Sequence, residues 1–175
     1  SAILRELLDD GREVKLLVRK DADTANIDGL DVEIAYGDLR DPESLQSALN
    51  GCNILYHAAA YYSLWDRDQQ LIYDINLEGT RKILEASQKK NLEKIIYTST
   101  VGCIGLNEDT TPANENTFFN KSTLANHYKK SKFQAEQIAL QFARNGLPIV
   151  IVNPSTPVGP RDIKPTPTGK IILDF

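Results

Sequence analysis

Methionine is absent from all 175 residues, and cysteine, histidine and tryptophan are scarce, at two, two and one. Cys52 and Cys103 belong to no C-x-x-C or Cys/His cluster, which excludes a disulfide framework and a zinc site of ordinary spacing. Basic charge is also short, because 20 Lys and Arg against 24 Asp and Glu leave a net charge of -4. A nucleic-acid grip needs a basic face, so that class of partner is excluded. No apolar run reaches the roughly 18 residues of a membrane-spanning helix, and no signal-peptide pattern opens the chain. These absences point to a reduced, cytoplasmic setting and leave a small-molecule substrate as an open class of partner. A homodimer is compatible with them.

The missing methionine includes an initiator. Ser1 leads directly into the helical pattern Ala2, Ile3, Leu4, Leu7, Leu8, and the chain stops on the apolar stretch Ile171-Ile172-Leu173-Asp174-Phe175. Natural termini are more often polar and frayed, so the expectation is a segment of a longer protein.

What is present is ordinary globular composition, 41% hydrophobic and 25% charged, enough for one sizeable core. The first helical pattern ends at Asp10-Gly11. Val14 to Val18 is an apolar run of strand length, and a second strand is expected at Val32 to Ala35. Asp41-Pro42-Glu43 reads as N-cap, N1 proline and N2 acid of a helix running to Leu49. Ile54-Leu55-Tyr56 is the next strand and runs into His57-Ala58-Ala59-Ala60. A single long helix is expected over 69–88, a strand over 94–98, a helix from about Leu124 to Arg144 and a strand from Pro148 to Val152. From Asn153 onward, the prolines at 154, 157, 160, 165 and 167 argue against regular structure. Strands alternating with helices at this spacing predict an α/β fold, a doubly wound parallel sheet covered on both faces. Such sheets bind ligands at the carboxyl ends of their strands.

The chemistry is therefore sought at those ends. The first strand ends in Arg19-Lys20, where a base accommodates the extra phosphate of NADP and an acid would select NAD. A surface Arg-Lys with no ligand fits the sequence equally well. The second ends in Gly37-Asp38-Leu39, with Asp38 able to accept a hydrogen bond from adenine or to shape a turn. Ala58, Ala59 and Ala60 would let a dinucleotide approach closely, or let a helix pack on a strand. His57 reads as a satisfied core histidine. The fourth strand ends in Tyr97-Thr98-Ser99-Thr100, whose hydroxyls could polarise a carbonyl or satisfy strand-end backbone groups. Tyr128 and Lys132 lie four apart in an expected helix and so share a face. A phenol near pKa 10 needs help to work at pH 7, and a neighbouring ammonium is expected to lower its pKa. A Y-x-x-x-K spacing alone is common by chance; its place after a hydroxyl-ended strand gives it weight.

Assembled in order, Gly37-Asp38-Leu39, His57-Ala58-Ala59, Asn76-x-x-Gly79-Thr80, Tyr97-Thr98-Ser99-Thr100, Tyr128-x-x-x-Lys132 and Asn153-Pro154 make the whole chain resemble the extended short-chain dehydrogenase/reductase superfamily. Within it, the stretch from Asn153 to Gly169 is similar to proteins called hopanoid-associated sugar epimerases, relatives of dihydroflavonol reductase. The resemblance implies that Tyr128 is the acid/base, that Lys132 binds the nicotinamide ribose and tunes Tyr128, and that Thr100 is the strand-end catalytic hydroxyl. It implies cofactor contacts from Arg19, Lys20, Asp38, Leu39, Ala58 to Ala60, Asn76, Ser99, Pro154, Ser155 and Thr156, with NADP favoured by Arg19 and NAD the alternative.

One departure stands out. Val14 to Val18 is followed by residues 19–27 without a glycine, so the superfamily's glycine-rich pyrophosphate turn is absent. The expected strand order then lacks its central strand, between those beginning near Val14 and Ile54. The segment alone is expected to be inactive, with a substrate domain lying beyond Phe175. The implied activity is carbonyl reduction, with nucleotide-sugar epimerisation as the alternative. A non-catalytic NADP-sensing domain is a weaker third reading, since such proteins tend to lose the tyrosine or lysine that this chain keeps. Tyr61, Tyr62 and Trp65 are candidates for the substrate wall or for simple loop packing.

Overall fold

The computed structural model describes residues 2–62, 69–109, 111–117, 119–120, 124, 126–162, 169–170 and 173–174. Trp65 lies outside the described residues. The chain divides into two compact units, Ser1–Asp38 with Thr156–Phe175, and Leu39–Ser155.

The first unit holds helix α1 (Ala2–Asp9) and the parallel pair β1 (Lys15–Val18) and β2 (Glu33–Tyr36). Gly11, at φ +71°, ends α1 in the left-handed region that glycine tolerates, as its Asp10-Gly11 sequence implies. Leu4 is the one buried residue of this unit among those described. Much of what ties it together is polar: Arg5 Nη2 donates to the Asn26 carbonyl at 3.2 Å, and Asn26 Nδ2 donates to the Arg161 carbonyl at 3.1 Å.

The second unit runs α2 (Pro42–Ala48), β3 (Ile54–His57), α3 (Gln69–Tyr73), a π-helical turn (Asp74–Glu78), α4 (Gly79–Gln88), β4 (Lys94–Thr98), a 3-10 turn (Val101–Cys103), α5 (His127–Arg144) and β5 (Ile149–Val152). Its sheet has the order β3-β4-β5, parallel throughout, with Ile95 opposite both Leu55 and Ile149. The local grammar is the expected one. Asp41 caps α2 by accepting from Glu43 N–H, with Pro42 following it, and Asn126 caps α5 by accepting from Lys129 N–H. That Asn126 cap starts α5 at His127, three residues after the expected position.

Strand side chains alternate between faces, so one face of this sheet presents Leu55, Ile95, Tyr97, Ile149 and Ile151 to α2, α4 and α5. Leu45, Leu49, Ile83, Leu84, Ala135, Ile138 and Ala139 close the core from the helices. The opposite face carries Ile54, Tyr56, Val150 and Val152 in the open, Val150 being 47% exposed. The expected cover on both faces is thus met on one face only, because α2, α4 and α5 all contribute to the same core. β1 and β3 each pair on a single side, so the parallel strands form two sheets rather than one.

Two more differences have local causes. The expected continuous helix over 69–88 is interrupted by the π turn, where Gly79 N–H bonds to the Asp74 carbonyl five residues back. Gly79 also packs so closely on Leu39 that an added Cβ would lie 2.9 Å from the leucine Cβ. The expected irregularity after Asn153 holds through residue 162, but Gly169, Lys170 and Leu173 are helical and Asp174 N–H bonds to the Lys170 carbonyl. The last proline is Pro167, so nothing beyond it blocks a turn of helix. Among the described residues no helix is long and apolar enough to cross a membrane.

Candidate active site

The second unit buries polar residues at the carboxyl ends of β3 and β4, His57 and Ser99. β4 ends in Thr98, and Ser99 N–H continues the ladder to the Val152 carbonyl. Thr100 then turns the chain into the 3-10 turn, its hydroxyl oxygen accepting from Gly102 N–H at 3.2 Å. A hydroxyl that accepts there keeps its own proton to donate, the polarity that a substrate carbonyl requires.

Lys132 is 3% exposed on the core side of α5, and no ion pair holds it among the described residues. Its Nζ donates to the Thr98 carbonyl at 2.8 Å and to the Tyr97 hydroxyl at 3.3 Å, and lies 4.8 Å from the centre of the Tyr97 ring. An ammonium has three protons, so one remains without an acceptor among the described residues. Burial disfavours the charged form and brings this lysine down to about 8, against the opposing pull of Cys103 and Glu136.

Tyr128 sits one turn before Lys132, half-buried, with the Tyr62 ring set edge-on at 4.5 Å between centroids. Burial, then Tyr62 and Cys103, hold its phenol above the usual value. This reverses the lowering expected from Lys132. The reason is burial first, which disfavours the charged phenolate, while the ammonium is engaged with the Thr98 carbonyl and the Tyr97 hydroxyl on β4. A phenol shifted this way is fully protonated at neutral pH, the state of a proton donor.

Other predicted residues divide into distinct groups. Asn76, in the π turn, has its side chain engaged: Oδ1 accepts from Tyr61 N–H, and Nδ2 donates to the Tyr61 carbonyl and to Ser131. It therefore pins the segment leading to Tyr62. Ala58, Ala59 and Ala60 are exposed after β3, leaving the small-residue surface open. Ser99 is buried, its hydroxyl directed at Cys103 Sγ at 3.5 Å. Leu39 is buried against Gly79. Pro154 is half-buried and Ser155 exposed. Arg19, Lys20, Asp38 and Thr156 belong to the first unit, where Arg19 meets Asp21 at 3.6 Å and both are largely exposed.

His57 takes the core role expected of it. Thr80 gives its one hydroxyl proton to the Asn76 carbonyl, so the His57 Nε2 at 3.0 Å must be the donor to Thr80. Burial first, then Lys132, lowers this imidazole to about 3.

Sequence reasoning misses three residues here. Tyr97 reads only as the first residue of the strand-end run, yet it cradles Lys132. Glu136, one further turn along α5, is 9% exposed and accepts from Asn153 Nδ2 at 2.7 Å. Asn153 reads only as part of the Asn-Pro match, yet the same amide also donates to the Thr100 carbonyl at 3.0 Å. The four-residue spacing from Lys132 is the signal available for Glu136. Among the described residues no cluster of His, Cys, Asp and Glu is arranged to hold a metal.

Residues 1–174 match the model of the family described as NAD dependent epimerase/dehydratase family. A putative dihydroflavonol 4-reductase of Synechocystis sp. is 46% identical over 99% of this chain and 50% of its own length. The crystal structure of gox2253 is 49% identical with a TM-score of 0.92, over 99% of this chain and 53% of that one. The Thermus thermophilus UDP-glucose 4-epimerase, solved as a complex with NAD, is 25% identical with a TM-score of 0.84, over 98% and 56%. The chain thus spans about half the length of these relatives.

Proposed function

The chain belongs to the NAD-dependent epimerase/dehydratase family, and from that premise we propose that it is the dinucleotide-binding part of a cytoplasmic oxidoreductase that reduces a small-molecule carbonyl with NADPH. The observation that carries this reading is the buried ammonium of Lys132, without an ion pair among the described residues and held on the Thr98 carbonyl one helical turn from Tyr128. Desolvating a charge without a counter-ion is costly, and such a cost is usually found where function requires it.

The residues present fit the nicotinamide end of the cofactor. Lys132 keeps one N–H for a ribose hydroxyl, and the exposed Ala58 to Ala60 allow close approach beside it. The pyrophosphate turn has no counterpart in these 175 residues. When bound, the nicotinamide supplies the hydride. Tyr128 then gives its phenolic proton to the carbonyl oxygen, and the Thr100 hydroxyl donates a hydrogen bond to the same oxygen. The upward shift of Tyr128 keeps that proton in place at neutral pH. Lys132 would hold the ribose, and its ammonium would stabilise the phenolate left on Tyr128.

Tyr128→Phe in the full-length protein should lower kcat by about two to four orders of magnitude while leaving dinucleotide affinity within about twofold. Retained turnover would remove Tyr128 from the role. NADP preference rests on Arg19: Arg19→Ala should weaken NADPH binding more than NADH binding, and equal losses in titration calorimetry would overturn it.

The likeness to a UDP-glucose 4-epimerase favours a second reading, epimerisation of an activated sugar with NAD retained. The same protein groups serve both. A reductase consumes its cofactor and loses absorbance at about 340 nm, whereas an epimerase shows no net change.

A further inference from the structure

We propose that Glu136 is a positioning residue for this site, holding the Thr100 tip of β4 through Asn153 and placing a carboxylate one helical turn from the Lys132 ammonium. The inference rests on the roles given above to Thr100 and Lys132.

Tyr128, Lys132 and Glu136 recur every four residues along α5, so all three lie on one face of the helix. Glu136 is buried, and a buried carboxylate without compensation is destabilising. It does not pair directly with Lys132. Its oxygen instead receives one proton of the Asn153 amide, and the second proton of that amide goes to the Thr100 carbonyl. Asn153 directly follows β5, and Val101 N–H bonds to the Pro154 carbonyl beside it. Helix α5 therefore grips the tip of β4 at two points: Lys132 on Thr98, and Glu136 on Thr100 by way of Asn153. Whatever moves Glu136 moves the donor hydroxyl relative to the ammonium.

Packing alone would be served as well by an apolar residue of similar size, so the charge needs its own explanation. The groups around Lys132 are Tyr97 and the Thr98 carbonyl of β4, Cys103 of the 3-10 turn, His57 of β3, and Tyr128 and Glu136 of its own helix. Burial keeps His57 neutral, raises the Cys103 thiol to about 11 and raises the Tyr97 phenol further. Glu136 is the carboxylate of this set, and its field favours the protonated lysine.

Two variants of the full-length protein separate the two duties. Glu136→Gln removes the charge but can still accept from Asn153 through its amide oxygen. Its Lys132 titration midpoint, read by NMR of lysine labelled at Cε, should fall by about half a pH unit or more, and the alkaline limb of kcat should move with it. Asn153→Ala keeps the carboxylate and breaks the link to Thr100. It should lower kcat about tenfold or more with little change in KM, and leave the alkaline limb in place. Should Glu136→Gln fail to fold, Glu136→Asp retains charge but shortens the reach, and should reproduce the Asn153→Ala pattern. An unchanged Lys132 midpoint in Glu136→Gln, or wild-type kcat in Asn153→Ala or Glu136→Asp, overturns the proposal. The NMR midpoint needs no turnover. If Tyr128→Phe stayed active, the catalytic reading would fail while the charge coupling could still be measured.

Discussion

The two compact units of this chain are built from similar elements and differ sharply in what they bury. Leu39–Ser155 packs three helices on one face of the sheet around β4, and Ile95, Leu45 and Leu84 are sealed from solvent. Ser1–Asp38 with Thr156–Phe175 has a helix and a parallel pair of strands, yet among its described residues it buries only Leu4 and leaves Leu17, Ile34 and Tyr36 open. A strand pair with one small helix gains little from apolar burial at roughly 25 cal/mol per Å². The groups assigned to proton transfer therefore rest on the unit with its own core. Arg19 and Lys20, assigned to cofactor choice, rest on the unit almost without one. The lesson is that chemistry and cofactor preference can be carried by parts of one chain that differ in how firmly their packing defines them.

The largest effect should come from opening the dense core. Ile95→Ala should destabilise the full-length protein by about 2–5 kcal/mol in urea unfolding, through lost transfer energy and a cavity. In the 175-residue chain the matching change in the other unit, Leu17→Ala, should cost under about 1 kcal/mol, since the side chain is there partly in water. Comparable losses would erase the contrast between the units.

A smaller effect should appear with acid, and it should act on the second unit. His57 has its folded pKa depressed to about 3 from 6.5. The unfolded chain then binds a proton that the folded chain refuses, so stability falls as pH drops from about 6.5 towards 3. His57→Gln has no such proton to bind. Its thermal midpoint should decline less than that of the wild type between neutral pH and pH about 4. An equal or steeper decline would show that the buried imidazole is not the source.

Much of this is legible in the chain itself. The strand over 94–98 is expected at the bounds it adopts, and the caps at Asp41 and Gly11 follow directly from residue type. The break between β1 and β3 falls where the sequence predicts that the central strand is lacking. Periodicity does not reveal the π turn, which depends on a backbone bond between Gly79 and Asp74 rather than on any apolar spacing. In the site, the helical placement of Tyr128 and Lys132 follows from their spacing, but the direction of the Tyr128 shift does not. That direction depends first on how deeply the fold buries the phenol, then on Tyr62 and Cys103, and Lys132 is attached to a main-chain oxygen that no motif records. Glu136 and Asn153 escape notice for a similar reason. Their link runs through an amide fork to the Thr100 carbonyl, between residues far apart in sequence.

The most direct test is the position of the Lys132 ammonium in a crystal structure of the full-length protein with NADP bound. Nζ should keep the Thr98 carbonyl and place its third proton on a ribose hydroxyl at about 3 Å. A cofactor seated with its ribose beyond reach of Nζ would contradict the account.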